Sequence, residues 1–175
     1  MPTDSLREYY FSREPGVVRL ELIELRHPAF MDGDTNVAVR FVNNQDDIAL
    51  TMEADAPMNA GETVTFKAGA FAATPPEQAS PGLPTCGLEV DNVGAILMPY
   101  MTAAAASNDP IELSYREARS DELDAPALSV HGMTIKSARA GVQRVTAQAG
   151  FEDLLNKPHP ADVISLQDYP GLANL

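Results

Sequence analysis

The sequence predicts a mainly β protein: an antiparallel sandwich or barrel, hub-like in outline, with one inserted helix and short terminal helices. Three observations predict it. Apolar and polar residues alternate over about eight short stretches, the period of a half-buried strand. Turn residues separate those stretches at intervals of roughly ten residues, the spacing of sandwiches and barrels. Extended and helical patterns do not alternate along the chain, so a parallel sheet of repeated βαβ units is not expected.

At 175 residues the chain suits one ordinary domain. We place that domain at residues 1–160 and a C-terminal arm at residues 161–175. Thr3 suits an N-cap for a short helix at about residues 3–12, with Ser5 to Phe11 as its body and Glu14-Pro15-Gly16 as its stop. Leu6, Tyr9, Tyr10 and Phe11 give this helix more apolar surface than a free terminus should expose, so it docks on a partner or on its own domain.

From Val17 to Leu25 the chain reads VVRLELIEL, which puts Val18, Leu20 and Leu22 on one face and Arg19, Glu21 and Ile23 on the other. Val37 to Val42 and Asp47 to Glu53 are expected as a hairpin across Asn43-Asn44-Gln45-Asp46. Glu62 to Lys67 is a further strand, with Val64 and Phe66 on one face. Pro75, Pro76, Pro81 and Gly82 mark Thr74 to Leu83 as an exposed loop. Thr85 to Asp91 returns to strand alternation, with Cys86, Leu88 and Val90 on one side. Asp91 or Asn92 is expected to cap a helix through Ile96, Leu97, Tyr100 and Met101 into Ala103 to Ala106, with Pro99 kinking it or standing in its first turn. Ile111 to Arg119, Leu128 to Ser137 and Val142 to Ala149 complete the strands, the last two joined through Ala138-Arg139-Ala140-Gly141. Phe151 to Asn156 suits one or two helical turns, and the arm after Pro160 has no period.

Composition excludes several function classes. The chain has 12 Lys+Arg against 25 Asp+Glu, a formal charge of -13. That surface repels phosphate, so neither nucleic acid nor anionic membrane is an expected partner. Cys86 is the one cysteine, so no internal disulfide or multi-thiolate metal site can form, which suits a reducing cytoplasm. The first residues lack the pattern of a signal peptide, and no apolar run is long enough for a membrane span.

Motifs for catalysis are missing. His27, His131 and His159 are each followed by Pro or Gly, with no second ligand at metal spacing. Asp32-Gly33-Asp34-Thr35-Asn36 begins like a calcium loop, but Val37 and Asn43 stand where that loop needs Gly and Glu. No serine lies in a G-x-S-x-G setting, and Cys86 sits in an apolar strand pattern where thiols are inert. Glu21 with Glu24, or Glu152 with Asp153, has nothing local to set two carboxylates apart in acidity. The expectation is no enzyme, no metal and no cofactor.

A set of short segments carries a resemblance. Near the start stands Leu20-Glu21-Leu22-Ile23-Glu24-Leu25-Arg26-His27-Pro28-Ala29-Phe30. The end carries Gly150-Phe151-Glu152-Asp153-Leu154-Leu155-Asn156-Lys157-Pro158-His159-Pro160, then Tyr169-Pro170-Gly171-Leu172. Thr63 to Ala68, Gly82-Leu83-Pro84 and Leu88 to Val93 lie between them in the same order. The whole resembles a family of phage and prophage tail proteins, itself similar to the N-terminal domain of minor tail protein L of lambda-like siphophages. The resemblance implies a structural virion protein of the tail tip, or baseplate, assembled in the host cytoplasm. It implies a ring of three copies between the tube end and the central fibre or hub protein. The neighbours would be the distal tail protein, the tape measure and that hub. The lambda-like protein continues into a cysteine-rich domain suited to an iron–sulfur cluster; with Cys86 alone, no cluster carries over.

Tyr10 and Phe11 of the first helix, and Tyr169, Pro170, Gly171 and Leu172 of the arm, are the candidate interaction residues. Tyr169-Pro170-Gly171 specifies a turn that aims Leu172 away from a segment without periodicity, either onto a neighbour or back over the chain's own core. The competing expectations are a small tail-associated cell-wall hydrolase and a host-carbohydrate-binding module. The latter is poorly supplied, since the chain has no Trp and 6% aromatic residues.

Overall fold

A computed structural model describes residues 4, 7, 8, 10, 16–74, 85–91, 96–141 and 143–151. In chain order its strands are β1 (Arg19–Arg26), β2 (Met31–Asp32), β3 (Thr35–Asn36), β4 (Val39–Val42), β5 (Ile48–Thr51), β6 (Thr63–Ala68), β7 (Phe71–Thr74), β8 (Thr85–Asp91), β9 (Glu112–Arg119), β10 (Leu128–Ala140) and β11 (Arg144–Gly150). One helix, α1 (Leu97–Ala105), is inserted between β8 and β9. The fold is mainly β, sandwich- or barrel-like with one helix, as the alternation predicts. Asp4, Arg7, Glu8 and Tyr10 have helical backbone. Residues 152–156, where terminal helical turns are expected, lie outside the described residues.

Nine strands form one sheet in the order β5-β6-β4-β1-β9-β10-β11-β8-β7, and β2 and β3 pair apart from it. At its centre β1 and β9 run antiparallel, with Leu20 opposite Ala118, Leu22 opposite Arg116 and Leu25 opposite Leu113. Both faces of this pair are covered. Ile23, Leu25, Leu113 and Tyr115 enter one apolar cluster with Phe30, Phe41, Leu88, Val90, Leu97 and Met133. Leu20, Leu22 and Ala118 enter a second with Val42, Leu50, Met52 and Phe66. Burial on both faces explains why every residue from Leu113 to Arg119 is buried.

The structure corrects several expectations. Val37 to Val42 and Asp47 to Glu53 do not pair as a hairpin: β6 lies between them, antiparallel to β5 and parallel to β4. Leu50 and Phe66 both need cover, and this arrangement puts both wholly inside the second cluster. The sheet is therefore antiparallel at every pairing but β4–β6. The stretch Ala138 to Ala140 continues β10, since Arg139 pairs with Thr146 and Ala140 with Val145; the turn follows, with Gly141 N–H donating to the Arg144 carbonyl at 2.8 Å.

Phe71 to Thr74 is a strand that local pattern did not predict, held by its pairing with β8. Asp32 to Asn36 belongs to a small hairpin that turns at Gly33, φ +60°. Asp91 ends β8 and does not cap α1; the cap position is Ile96, which has no capping side chain. Asn92, the other expected cap, lies outside the described residues. Pro99 stands in the first turn, where its missing N–H deprives the helix of no bond.

Candidate functional site

The segment of the resemblance builds a corner. Glu24 and Phe30 are fully buried, and His27 nearly so. His27 Nε2 contacts the Asp109 carbonyl at 3.0 Å, and its Nδ1 accepts from Ala29 N–H at 3.0 Å. Asn36 donates to the carbonyls of His27, Pro28 and Phe30, closing the β2–β3 hairpin onto β1. The Phe30 ring meets Tyr100 of α1 edge-on at 5.2 Å. These groups are consumed in holding the chain's course.

A charged cluster lies on the Leu22 face of β1 and β9. Glu24 Oε2 accepts from Arg40 Nε at 2.8 Å, while Glu24 Oε1 is 3.5 Å from Arg26 Nε and 3.7 Å from Arg116 Nη2. Arg116 has no solvent exposure and donates through Nε to both oxygens of Glu53, at 2.8 and 3.1 Å. Its two terminal amino groups have no hydrogen-bond acceptor among the described residues. Arg40 reaches on to Asn59 Oδ1 at 2.7 Å, and Asn59 donates to Glu62 at 2.7 Å.

His131 joins this cluster from β10. Its Nδ1 lies 3.1 Å from Ser114 Oγ and its Nε2 2.8 Å from Glu53 Oε1, the latter without hydrogen-bond alignment. A bulge puts it there. Val130 pairs with Tyr115 and Met133 with Leu113, so His131 and Gly132 together oppose Ser114. Gly132 takes φ +77°, a conformation that costs glycine little. Burial holds the His131 imidazole below its ordinary 6.5, Arg116 pushes the same way, and Glu53 opposes them.

Ser114, His131 and Glu53 have the composition of a hydrolytic triad. Ser114, however, is wholly buried in the middle of β9, so its hydroxyl meets no substrate. The sequence search missed the three because they come from separate elements and form no local motif. The bulge signal His131-Gly132 was the only trace of them.

On the opposite face Glu117 is met by two phenols and one rim arginine, Arg19, which also pairs with Glu21. Glu117 Oε1 accepts from Tyr115 Oη at 2.8 Å and from Arg19 Nη1 at 3.4 Å, and Glu117 Oε2 accepts from Tyr10 Oη at 3.0 Å. Arg19 Nη1 donates to Tyr10 Oη at 2.7 Å. Burial raises the Tyr115 phenol strongly, helped by the neighbouring Glu117 carboxylate. Tyr10 therefore contacts its own domain through its hydroxyl, while 53% of the residue stays exposed. Phe11, Tyr169, Pro170, Gly171 and Leu172 lie outside the described residues.

Two open clefts stand out among the described residues. One, of about 510 Å³, runs across the outer face of β7, β8, β11 and β10 over small side chains such as Ala72, Thr74 and Gly87. The other, of about 530 Å³, lies between Arg26, Pro28, Pro57, Met58 and Pro110. Cys86 is buried, and burial pushes its thiol up to about 11, so it fills core space and is no nucleophile at neutral pH. Among the described residues no three His, Cys, Asp or Glu side chains are placed to hold a metal, and no helix is long and apolar enough to cross a membrane.

A family model described as a domain of unknown function, DUF1833, matches residues 5–163. No curated protein matches the chain.

Proposed function

The chain belongs to the DUF1833 family, and on that premise we propose that it is a structural, non-catalytic subunit of a siphophage tail tip. Three copies form a ring that links the tube end, distal tail protein and tape measure to the central fibre or hub. The subunit assembles in the host cytoplasm and ends in the virion tail. The observation that supports this most is the use made of the segment on which the resemblance rests. Glu24, Leu25, His27 and Phe30 are all buried and give a fixed corner to the sheet, so the likeness is one of architecture. A rigid β body with its titratable groups paired inside suits a part that is held by its neighbours.

The test is to delete the gene from a phage that carries it, then supply it in trans. Electron microscopy of the particles should show tails without a mature tip, with infectivity restored by complementation. Normal, infectious tips in the deletion would overturn the reading.

A hydrolase reading has one observation in its favour, the Ser114–His131–Glu53 arrangement. The burial of Ser114 weighs against it. Purified chain that cleared a cell-wall suspension, and lost that activity as Ser114→Ala, would make it the better account.

A further inference from the structure

We infer that the cleft across β7, β8, β11 and β10 receives the tip of the β2–β3 hairpin of a second copy of the chain, a contact that rests on the ring proposed above for its closure at three copies. Among the described residues every lysine and arginine but two is ion-paired to a carboxylate. The two are Lys136 and Arg139, both exposed and three residues apart on β10. In a chain with 25 Asp+Glu against 12 Lys+Arg, cations are the scarce partner. Two of them left unpaired beside one cleft mark a place for carboxylates that come from outside.

The fold carries these two cations on a projection. Beyond the bond from Ile135 N–H to the Ile111 carbonyl, at 2.8 Å, β10 continues to Ala140 paired with β11 and no longer with β9. Lys136 is the extra residue of a bulge there, between Ile135 opposite Ala149 and Ser137 opposite Gln148. Arg139 lies opposite Thr146, and the same cross-strand row runs on through Glu89 to Ala72. Glu89 is already ion-paired with Arg144, so the charge of Arg139 stays unanswered. A Cβ added at Gly87 would meet nothing nearer than Thr74, at 3.8 Å, so the floor of this cleft of about 510 Å³ is low and open.

The β2–β3 hairpin has the opposite character. It turns at Gly33 with Asp32 and Asp34 on either side, and Met31 beside them is 45% exposed. Both carboxylates are exposed, and among the described residues neither meets a cation of its own molecule. Its two strands lie about 5 Å apart, narrow enough to enter the cleft. There Met31 would rest on Ala72 and Gly87, and the two aspartates would answer Lys136 and Arg139. Hairpin and cleft are different surfaces, so each copy gives one and receives the other, the head-to-tail contact from which rings close. With -13 on every copy the general field between copies is repulsive, and this local match of sign favours one docking over the rest.

Sedimentation velocity of the full chain at micromolar and submillimolar concentrations tests this. Wild type should self-associate as concentration rises, with the trimer as end point. Lys136→Glu with Arg139→Glu should weaken association about tenfold or more, and so should Asp32→Lys with Asp34→Lys. All four positions are exposed, and circular dichroism matching wild type shows that a variant is folded. Should a reversal not fold, Arg139→Gln and Asp34→Asn only remove a charge, and each should weaken association about twofold to fivefold. The chain carrying all four reversals has matching signs again and should return to within about threefold of wild type. Three results overturn the contact: wild type that stays monomeric at the highest concentration, association that the charge changes leave intact, or a fourfold variant no better than either pair. Any of these leaves the tail-tip reading to the gene deletion, and normal tips in that deletion leave a contact shown by the charge swap in place.

Discussion

Two polar clusters sit back to back on the same strand pair, and they are built on opposite rules. On the Leu22 face, Glu24 and Arg116 are fully buried beside a half-buried Glu53, and several of the Glu24 and Arg116 atoms lack a hydrogen-bond partner among the described residues. On the other face, Glu117 accepts from two phenols and one arginine that is still 34% exposed. Charges taken out of water recover their hydration only through close, well-aligned partners. Neutral phenols lose far less on burial and still satisfy a carboxylate. The first cluster is therefore brittle, whereas the second is a static tie between the first helix and the sheet.

Substitutions can break that contrast. The largest effect expected is for Glu24→Ala, which removes the buried carboxylate that Arg40, Arg26 and Arg116 share; urea unfolding should show a loss of about 3–5 kcal/mol. Tyr115→Phe removes one neutral donor from Glu117 and should cost about 1–2 kcal/mol in the same assay. Equal losses for the two would abolish the distinction. Gly132→Ala forces a side chain into the left-handed region with open space around it, so strain alone should cost about 1–2 kcal/mol. A larger loss would mean that the bulge does more than aim His131.

Tyr10→Phe should be milder, about 0.5–1 kcal/mol, because the residue is half exposed and the change removes only its hydroxyl, leaving the ring under Arg19. The acid response is the finest test. His131 titrates lower folded than unfolded, so its contribution to stability is complete above 6.5 and is lost as pH falls through its depressed folded value. Asp47 and Asp121 are held below 3.8, so their contributions are lost only as pH falls below that value. Urea midpoints that fall between pH 7 and 5.5 in wild type, but stay flat in His131→Gln, would assign the slope.

The sites were much harder to read from sequence than the strands. β1, β8, β9 and β11 follow from alternation, since period two needs only neighbours along the chain. β9 shows the limit. ELSYREAR has the look of a strand with one wet face, yet Arg116 and Glu117 are both buried, one on each side. What meets them comes from elsewhere: Glu53 against Arg116, and Tyr10 with Arg19 beside Glu117. β7 was invisible because Phe71 is its one large side chain and its pairing to β8 does the rest. The expected β4–β5 hairpin failed because turn chemistry at Asn43 to Asp46 specifies a reversal without naming the strand that will lie alongside.

By itself the sequence determined the strand period, the places of most turns, a formal charge of -13, and a single cysteine that allows no internal disulfide. Those properties depend on composition and on residues a few places apart. Only the tertiary structure decided that Glu24, Glu53, Arg116 and His131 share one cluster, with Glu24 and Arg116 wholly buried in it. Four separate elements supply them, and sheet order alone brings those elements together. Whether a charge is solvated or buried is a property of what lies above it, and local pattern carries no record of that.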